Sequence, residues 1–237
     1  MADVKPNLIG GHWHAGEYAS ANINPSDTDD VIGHYATATI DDVEAAITAA
    51  DAAAHDWARS GIQARHDVLR TASDEIMARR EDIGRLLSRE EGKTLAEGIG
   101  ETVRAAQIFN FFAGETLRLA GEQLPSVRAG VDVEITREPV GVVGVITPWN
   151  FPIAIPAWKI APAICYGNPV VFKPAELVPG CAWAMVDILH RAGMPSGTIN
   201  LVNGPGSVVG QAMLDDARVK AITFTGSQAT GERVAQA

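Results

Sequence analysis

Asn150 sits within Thr147-Pro148-Trp149-Asn150-Phe151-Pro152. Its carboxamide carries two N–H donors that can hold a carbonyl oxygen while it becomes an oxyanion. A loop asparagine ordinarily satisfies local backbone groups, but the rings and prolines around this one would stiffen a catalytic loop. Trp149 reads either as core packing or as the wall of a cleft. Lys173-Pro174-Ala175-Glu176 offers a donor and an acceptor at a strand tip. That pair can take two neighbouring ribose hydroxyls, although singly both charges would be solvated loop residues. The runs from Gly204 through Gly206 to Gly210 and from Gly226-Ser227 through Thr230 to Gly231 each lie between a strand and a helix. Glycine permits close approach of backbone to ligand, and a helix amino terminus attracts phosphate. Neither run is Gly-x-Gly-x-x-Gly after the first strand, so each alone reads as an ordinary turn.

Cys165 falls in a predicted buried helix and Cys181 at a helix start, the settings of inert core thiols. Two cysteines cannot make a disulfide framework and lack metal-ligand spacing. His12 and His14 would share one face of a strand, but without a third ligand they make no metal site.

These residues need a scaffold, and the apolar periodicity supplies one. Residues 7–35 read as short extended pieces broken by Gly10-Gly11 and Asn24-Pro25. A helix begins near Asp41, read as its cap with Glu44 completing a box, and carries Val43, Ala46, Ile47, Ala50 and Ala54 on one face. Helices are predicted over 62–80, 81–90 and 97–120. Residues 131–137 alternate apolar and charged side chains, the pattern of a strand with one wet face. As an arm or edge hairpin it is either solvated or covered by a partner subunit. From residue 140 strands and helices alternate: strands over 140–146, 170–173, 198–202 and 219–225, and helices after each. Pro156 and Pro162 are expected to bend or segment the first of these helices. Consecutive βα units imply a parallel, doubly wound sheet, which binds ligands at the carboxyl ends of its strands. Every motif above lies at such an end.

Composition excludes several function classes. The 237 residues are 46% hydrophobic and 20% charged with a net charge of −10. A surface for nucleic acid would need a basic stripe instead. No apolar run reaches membrane-spanning length, since Lys159 and Lys173 interrupt the most hydrophobic region. The polar amino terminus lacks a secretory signal, and a reducing cytoplasm is the simplest compartment.

Together, Thr147-Pro148-Trp149-Asn150-Phe151-Pro152, Lys173-Pro174-Ala175-Glu176 and Phe224-Thr225-Gly226-Ser227 resemble the cofactor half of the NAD(P)-dependent aldehyde dehydrogenase superfamily. The resemblance spans essentially the whole chain and is strongest over 135–231; residues 135–189 look most like the branch oxidising α-ketoglutaric semialdehyde. It implies an α/β fold, a Rossmann-like doubly wound parallel sheet with an oligomerisation hairpin, whose catalytic domain is missing from this chain. The helical amino-terminal part would cover 1–120, the arm 121–140 and the βα units 141–237. Asn150 would be the oxyanion-hole side chain. Ile146, Thr147, Pro148 and Trp149 would line the cofactor cleft, and Lys173, Pro174, Ala175 and Glu176 would clamp the adenosine ribose. Gly206 would lie near the adenine and Gly226 and Ser227 at the pyrophosphate, with Gly210, Phe224, Thr225 and Thr230 also among the cofactor-binding residues. The Glu176 carboxylate repels a 2′-phosphate, which favours NAD while leaving NADP possible. The implied reaction oxidises an aldehyde to a carboxylic acid through a cysteine thioester, with nucleophile and general base lying beyond residue 237. A homodimer or homotetramer is implied for the full-length protein. Two other readings remain open: a non-catalytic NAD-binding fragment, and a coenzyme-A-acylating relative.

Overall fold

The computed structural model describes residues 4–237. The first three residues of the polar amino-terminal stretch lie outside it. Five short strands come first: β1 (Val4–Lys5), β2 (Asn7–Ile9), β3 (His12–His14), β4 (Tyr18–Ile23) and β5 (Val31–Thr37). Four helices follow, α1 (Ile40–Ala58), α2 (Ile62–Ala78), α3 (Arg80–Glu91) and α4 (Leu95–Thr116). A hairpin of β6 (Glu122–Pro125) and β7 (Asp132–Ile135) leads into β8 (Val142–Ile146), α5 (Ala154–Cys165), β9 (Val170–Lys173), α6 (Pro179–Arg191) and β10 (Ile199–Leu201). A π-helical turn, Gly206–Gly210, runs into α7 (Gln211–Asp215), and β11 (Val219–Phe224) and α8 (Gln228–Gln236) complete the order.

The central sheet has the order β11-β8-β9-β10-β2-β3. Its four βα strands are parallel. The sheet continues into β2 and β3, which run antiparallel and come from the amino terminus. The expected parallel sheet is therefore the greater part of a mixed one. Strand alternation explains why β8, and β9 up to its terminal Lys173, carry no polar side chain. Val143, Val145, Val170 and Phe172 enter a core with α2, α4, α5 and α6. Val142 and Val171 point the other way, into a core built with α1 and Met213 of α7. A strand covered on both faces has no wet side to mark with polar residues.

Two local expectations are corrected. Helix α1 is capped by Thr39, not Asp41: the Thr39 hydroxyl accepts from Asp42 N–H at 3.2 Å, and Asp42 Oδ2 accepts from Thr39 N–H at 2.9 Å. The chain can turn there because Ala38 is still held in extended form by its N–H bond to the Asn203 carbonyl. Helix α5 is one unbroken element despite its prolines. Pro156 sits in the first turn, where an N–H would lack a helical partner anyway. Pro162 leaves the Trp158 carbonyl without its helical donor, and Trp158 lies half exposed, while Ile160, Ala161, Ile164 and Cys165 pack the helix into the core.

No helix among the described residues is long and apolar enough to cross a membrane. His12 and His14 do share one face of β3, yet among the described residues no group of His, Cys, Asp and Glu is arranged to hold a metal ion.

Candidate active site

The register of the sheet gathers the motifs. Phe224 pairs with Ile146, and Ile146 pairs with Lys173, so β11, β8 and β9 end side by side. The ladder runs one step further, with Thr225 N–H donating to Ile146 O at 3.1 Å and Thr147 N–H to Lys173 O at 3.3 Å. The connection after β10 crosses to the other face of the sheet before returning as β11 beyond β8. The carboxyl ends of β8, β9 and β11 therefore flank the topological switch point, where doubly wound sheets form their ligand crevice.

Two adjoining clefts open there. Ile146, Thr147, Pro148, Trp149, Asn150, Phe224, Thr225, Gly226, Ser227 and Thr230 line one of about 520 Å³. Ile146, Lys173, Gly206, Gly210 and Thr230 line the second, of about 250 Å³. Ile146 and Thr230 belong to both. Trp149 is half exposed, so it forms a wall and not part of the core. Pro174, Ala175 and Glu176 lie in neither wall. Glu176 instead accepts from Gly206 N–H at 3.1 Å, tying the loop after β9 to the π-helical turn after β10.

Lys173 is almost completely buried, and its ammonium donates to the Pro174 carbonyl at 2.9 Å. Burial pulls its pKa below the ordinary lysine value, and the Glu176 charge opposes that pull. The Thr147 hydroxyl is buried with no hydrogen-bond partner among the described residues, a polar group available to whatever enters the cleft. Ser227 caps α8 by accepting from Thr230 N–H at 3.3 Å. At Gly226 a side chain would place its Cβ 2.5 Å from the tip of the Phe224 ring, so any larger residue there would have to displace that ring.

A third cleft, of about 650 Å³, lies on the other side of Asn150 and is lined by Lys93, Glu101, Arg104, Phe151, Ile155 and Trp158 among others. Asn150 and Ile155 line this cleft and the 520 Å³ cleft alike. The Asn150 loop is held from below. Glu101 accepts from Ile153 and Ala154 N–H groups, both at 3.1 Å, satisfying donors at the start of α5. Its other oxygen takes Lys93 at 2.8 Å, and Lys93 also donates to the Asn150 carbonyl at 3.0 Å. The two cysteines are buried elsewhere, and burial pushes both thiols up, Cys181 most strongly.

A model of the aldehyde dehydrogenase family matches residues 13–237. The chain belongs to that family. It is 44% identical over 235 residues to the α-ketoglutaric semialdehyde dehydrogenase of Bacillus subtilis (strain 168), covering 98% of this chain and 48% of that protein. Against the 2,5-dioxopentanoate dehydrogenase of Saccharolobus solfataricus identity is 38% over 213 residues, 90% of this chain and 45% of the relative. The structure of a betaine aldehyde dehydrogenase from Staphylococcus aureus in complex with NAD+ superposes with a TM-score of 0.94 at 34% identity, covering 98% of this chain and 47% of the other. The chain thus spans about half the length of the relatives it matches. The semialdehyde branch read from the sequence is the one these relatives represent.

Within this aldehyde dehydrogenase chain, sequence reasoning missed the residues beneath and beyond Asn150. Lys93 lies 57 residues from Asn150, and Glu101 lies 52 from Ile153. No local spacing links them. The one usable signal was the capping box of Thr94 and Glu97, which fixes where α4 begins and so which of its side chains face α5.

Proposed function

We propose that this chain is the cofactor-binding half of an NAD-dependent aldehyde dehydrogenase that oxidises a semialdehyde, such as α-ketoglutaric semialdehyde, to the acid. The reading rests chiefly on one observation: Asn150 stands in the wall between two clefts. A cofactor on one side and an aldehyde on the other would meet at its carboxamide. The adjoining 520 and 250 Å³ clefts suit an elongated dinucleotide. Thr147 offers an unused hydroxyl, Lys173 a buried ammonium, and Gly206 and Gly210 a backbone without side chains in the way. When bound, NAD supplies the two-electron oxidant.

The chain's own residues bind and orient. Asn150 Nδ2 donates to the aldehyde oxygen as it becomes an oxyanion, and this donor is stronger in a site that excludes water. Phe151, Ile155 and Trp158 supply the apolar wall beside it. Lys93 holds the Asn150 backbone, which keeps the donor in place before the reaction begins. Lys173 and Glu176 serve the ribose once Glu176 releases Gly206, and the Glu176 charge favours NAD over NADP. The nucleophile and the general base come from residues outside this chain, since Cys165 and Cys181 are buried away from the clefts. Residues 121–140 form the arm through which copies associate.

The test is steady-state oxidation of α-ketoglutaric semialdehyde by the full-length protein, followed as NADH formation. Asn150→Ala should lower kcat by roughly 100- to 1,000-fold, the usual loss for one oxyanion donor, with NAD affinity retained. An unchanged kcat would remove Asn150 from the mechanism, and a wild-type protein without turnover would remove the reaction.

A further inference from the structure

A groove of about 590 Å³ opens between α1 and the helical segment made of the π-helical turn and α7. Its walls are apolar: Ile40, Val43 and Ile47 come from α1, and Val208 and Ala212 from the segment. Its rim is acidic. Asp216 is neutralised by Arg218, whose fork closes on it at 2.6 and 3.0 Å. Glu44 and Asp215 line the same groove, and among the described residues neither has a cation at ion-pair distance. Asp215 accepts instead from the neutral Gln211 amide at 2.8 Å. Three carboxylates against one guanidinium leave the groove with negative charge in excess.

The segment is one helix thick, and its faces divide between two clefts. Gly206, Gly210 and Leu214, spaced by four, line the 250 Å³ cleft. Val208, Ala212 and Asp215 line the outer groove, while Val209 and Met213 turn into the core below. Ser207 and Gln211 reach both sides. Gln211 also accepts from Arg233 at 3.4 Å, and Arg233 lines the 250 Å³ cleft. A charge held at Asp215 thus lies about 10 Å, one helix diameter, from an anion in that cleft. Protein fills much of the space between them, so their interaction is screened less than it would be across water.

We propose that the outer groove is a second ligand site, for a small organic cation with an apolar body, whose occupant strengthens cofactor binding across the shared wall. The apolar walls take the body, and Glu44 and Asp215 take the charge. The sign of the coupling follows from the charges. A cation at Asp215 offsets a carboxylate that repels the cofactor's pyrophosphate, so the dinucleotide binds more tightly when the groove is filled. Linkage makes the effect reciprocal: the cofactor must raise the affinity for the cation by the same factor. The coupling rests on the dinucleotide-binding reading above; the site itself does not.

Titration calorimetry on the full-length protein tests both parts, with benzyltrimethylammonium as the ligand. Tetramethylammonium carries the charge without the apolar body, and phenylacetate carries the body with the opposite charge. Benzyltrimethylammonium should bind more tightly than either. At saturation it should tighten NAD binding roughly threefold to tenfold at low salt, with the gain shrinking as salt is added. Ala212→Phe fills the groove and should abolish binding of the cation. Glu44→Gln should weaken it by up to about fivefold, the range for one exposed ion pair. Thermal melts report the fold of each variant. The double variant Glu44→Gln, Asp215→Asn keeps the shape of the groove and decides the matter if Ala212→Phe does not fold. Cation binding that survives these changes overturns the proposal, because the ligand then sits elsewhere. Equal affinity for phenylacetate overturns it as well, as does an NAD affinity that the saturating cation leaves unchanged. A wild-type protein that takes the cation but not NAD overturns the functional reading and the coupling together, while the site stands.

Discussion

Lys173 shows how far a site residue departs from the role its type suggests. A lysine at a strand tip would ordinarily be solvated, yet this one is 5% exposed, and among the described residues its ammonium donates to a backbone carbonyl and to no carboxylate. Its charge is held in a place that disfavours it, which makes sense if a ligand completes its hydrogen bonds. Lys173→Met should therefore leave the free chain at least as stable in a thermal melt, because a desolvated charge is removed. The same variant should weaken NAD binding by roughly 10- to 100-fold in calorimetry, the loss of a charged hydrogen bond. A stability loss with unchanged NAD affinity would make Lys173 a purely structural residue. The pH dependence has a definite sign. Burial lowers the folded pKa, so between the folded value and the unfolded value of about 10.4 the unfolded chain binds more protons, and stability rises with pH across that window. Lys173→Met should abolish this part of the slope, seen as the wild-type minus variant difference in denaturation at alkaline pH.

At the scale of elements, each candidate site residue is placed by a boundary. Strand β8 ends at Ile146 and delivers Asn150 on the following turn; helix α5 then starts where Glu101 caps it from α4. One carboxylate thus fixes the approach of two helices and, through Lys93, the backbone of the loop between them. Replacing Glu101 with Ala would leave two N–H groups unmet and the nearly buried Lys93 without its closest partner. Breaking such a pair from one side costs about 3–5 kcal/mol, measurable by urea denaturation. Thr39→Ala removes only a helix cap and should cost about 1 kcal/mol. If the two variants lose equal stability, the Glu101 network is no more than an ordinary cap. Element identity was largely legible in the chain, because a buried strand and a two-faced helix announce themselves by period. The unbroken α5 was not, because the packing that tolerates Pro162 comes from α4 and the sheet.

For the molecule as a whole, the amino terminus is the part whose place is least evident from its own residues. Strand β2 closes the β10 edge through Leu8 opposite Leu201. Asn7 Oδ1 accepts from the Asn203 backbone N–H at 2.9 Å, and Asn200 Oδ1 accepts from Gly10 N–H at 2.8 Å. Farther out, Trp13 packs on Trp183 with centroids 5.2 Å apart. Segments some 190 residues apart in the chain are thereby sewn into one sheet. Leu8 is fully buried, so Leu8→Ala should cost about 2–5 kcal/mol by cavity formation alone. A loss below 1 kcal/mol would mean that this edge contributes little to the fold.

The chain itself determined its class, its repeating βα order and the three motifs at strand ends, because these depend on neighbours a few residues apart. Periodicity, turn residues and motif spacing are all local quantities. Tertiary structure alone decided that Phe224, Ile146 and Lys173 stand abreast, that Asn150 divides two clefts, and that Glu101 reaches the start of α5 from α4. Those facts depend on register and on which side chains from distant helices meet, and hydrophobic pattern does not encode which of several equally apolar faces will pair.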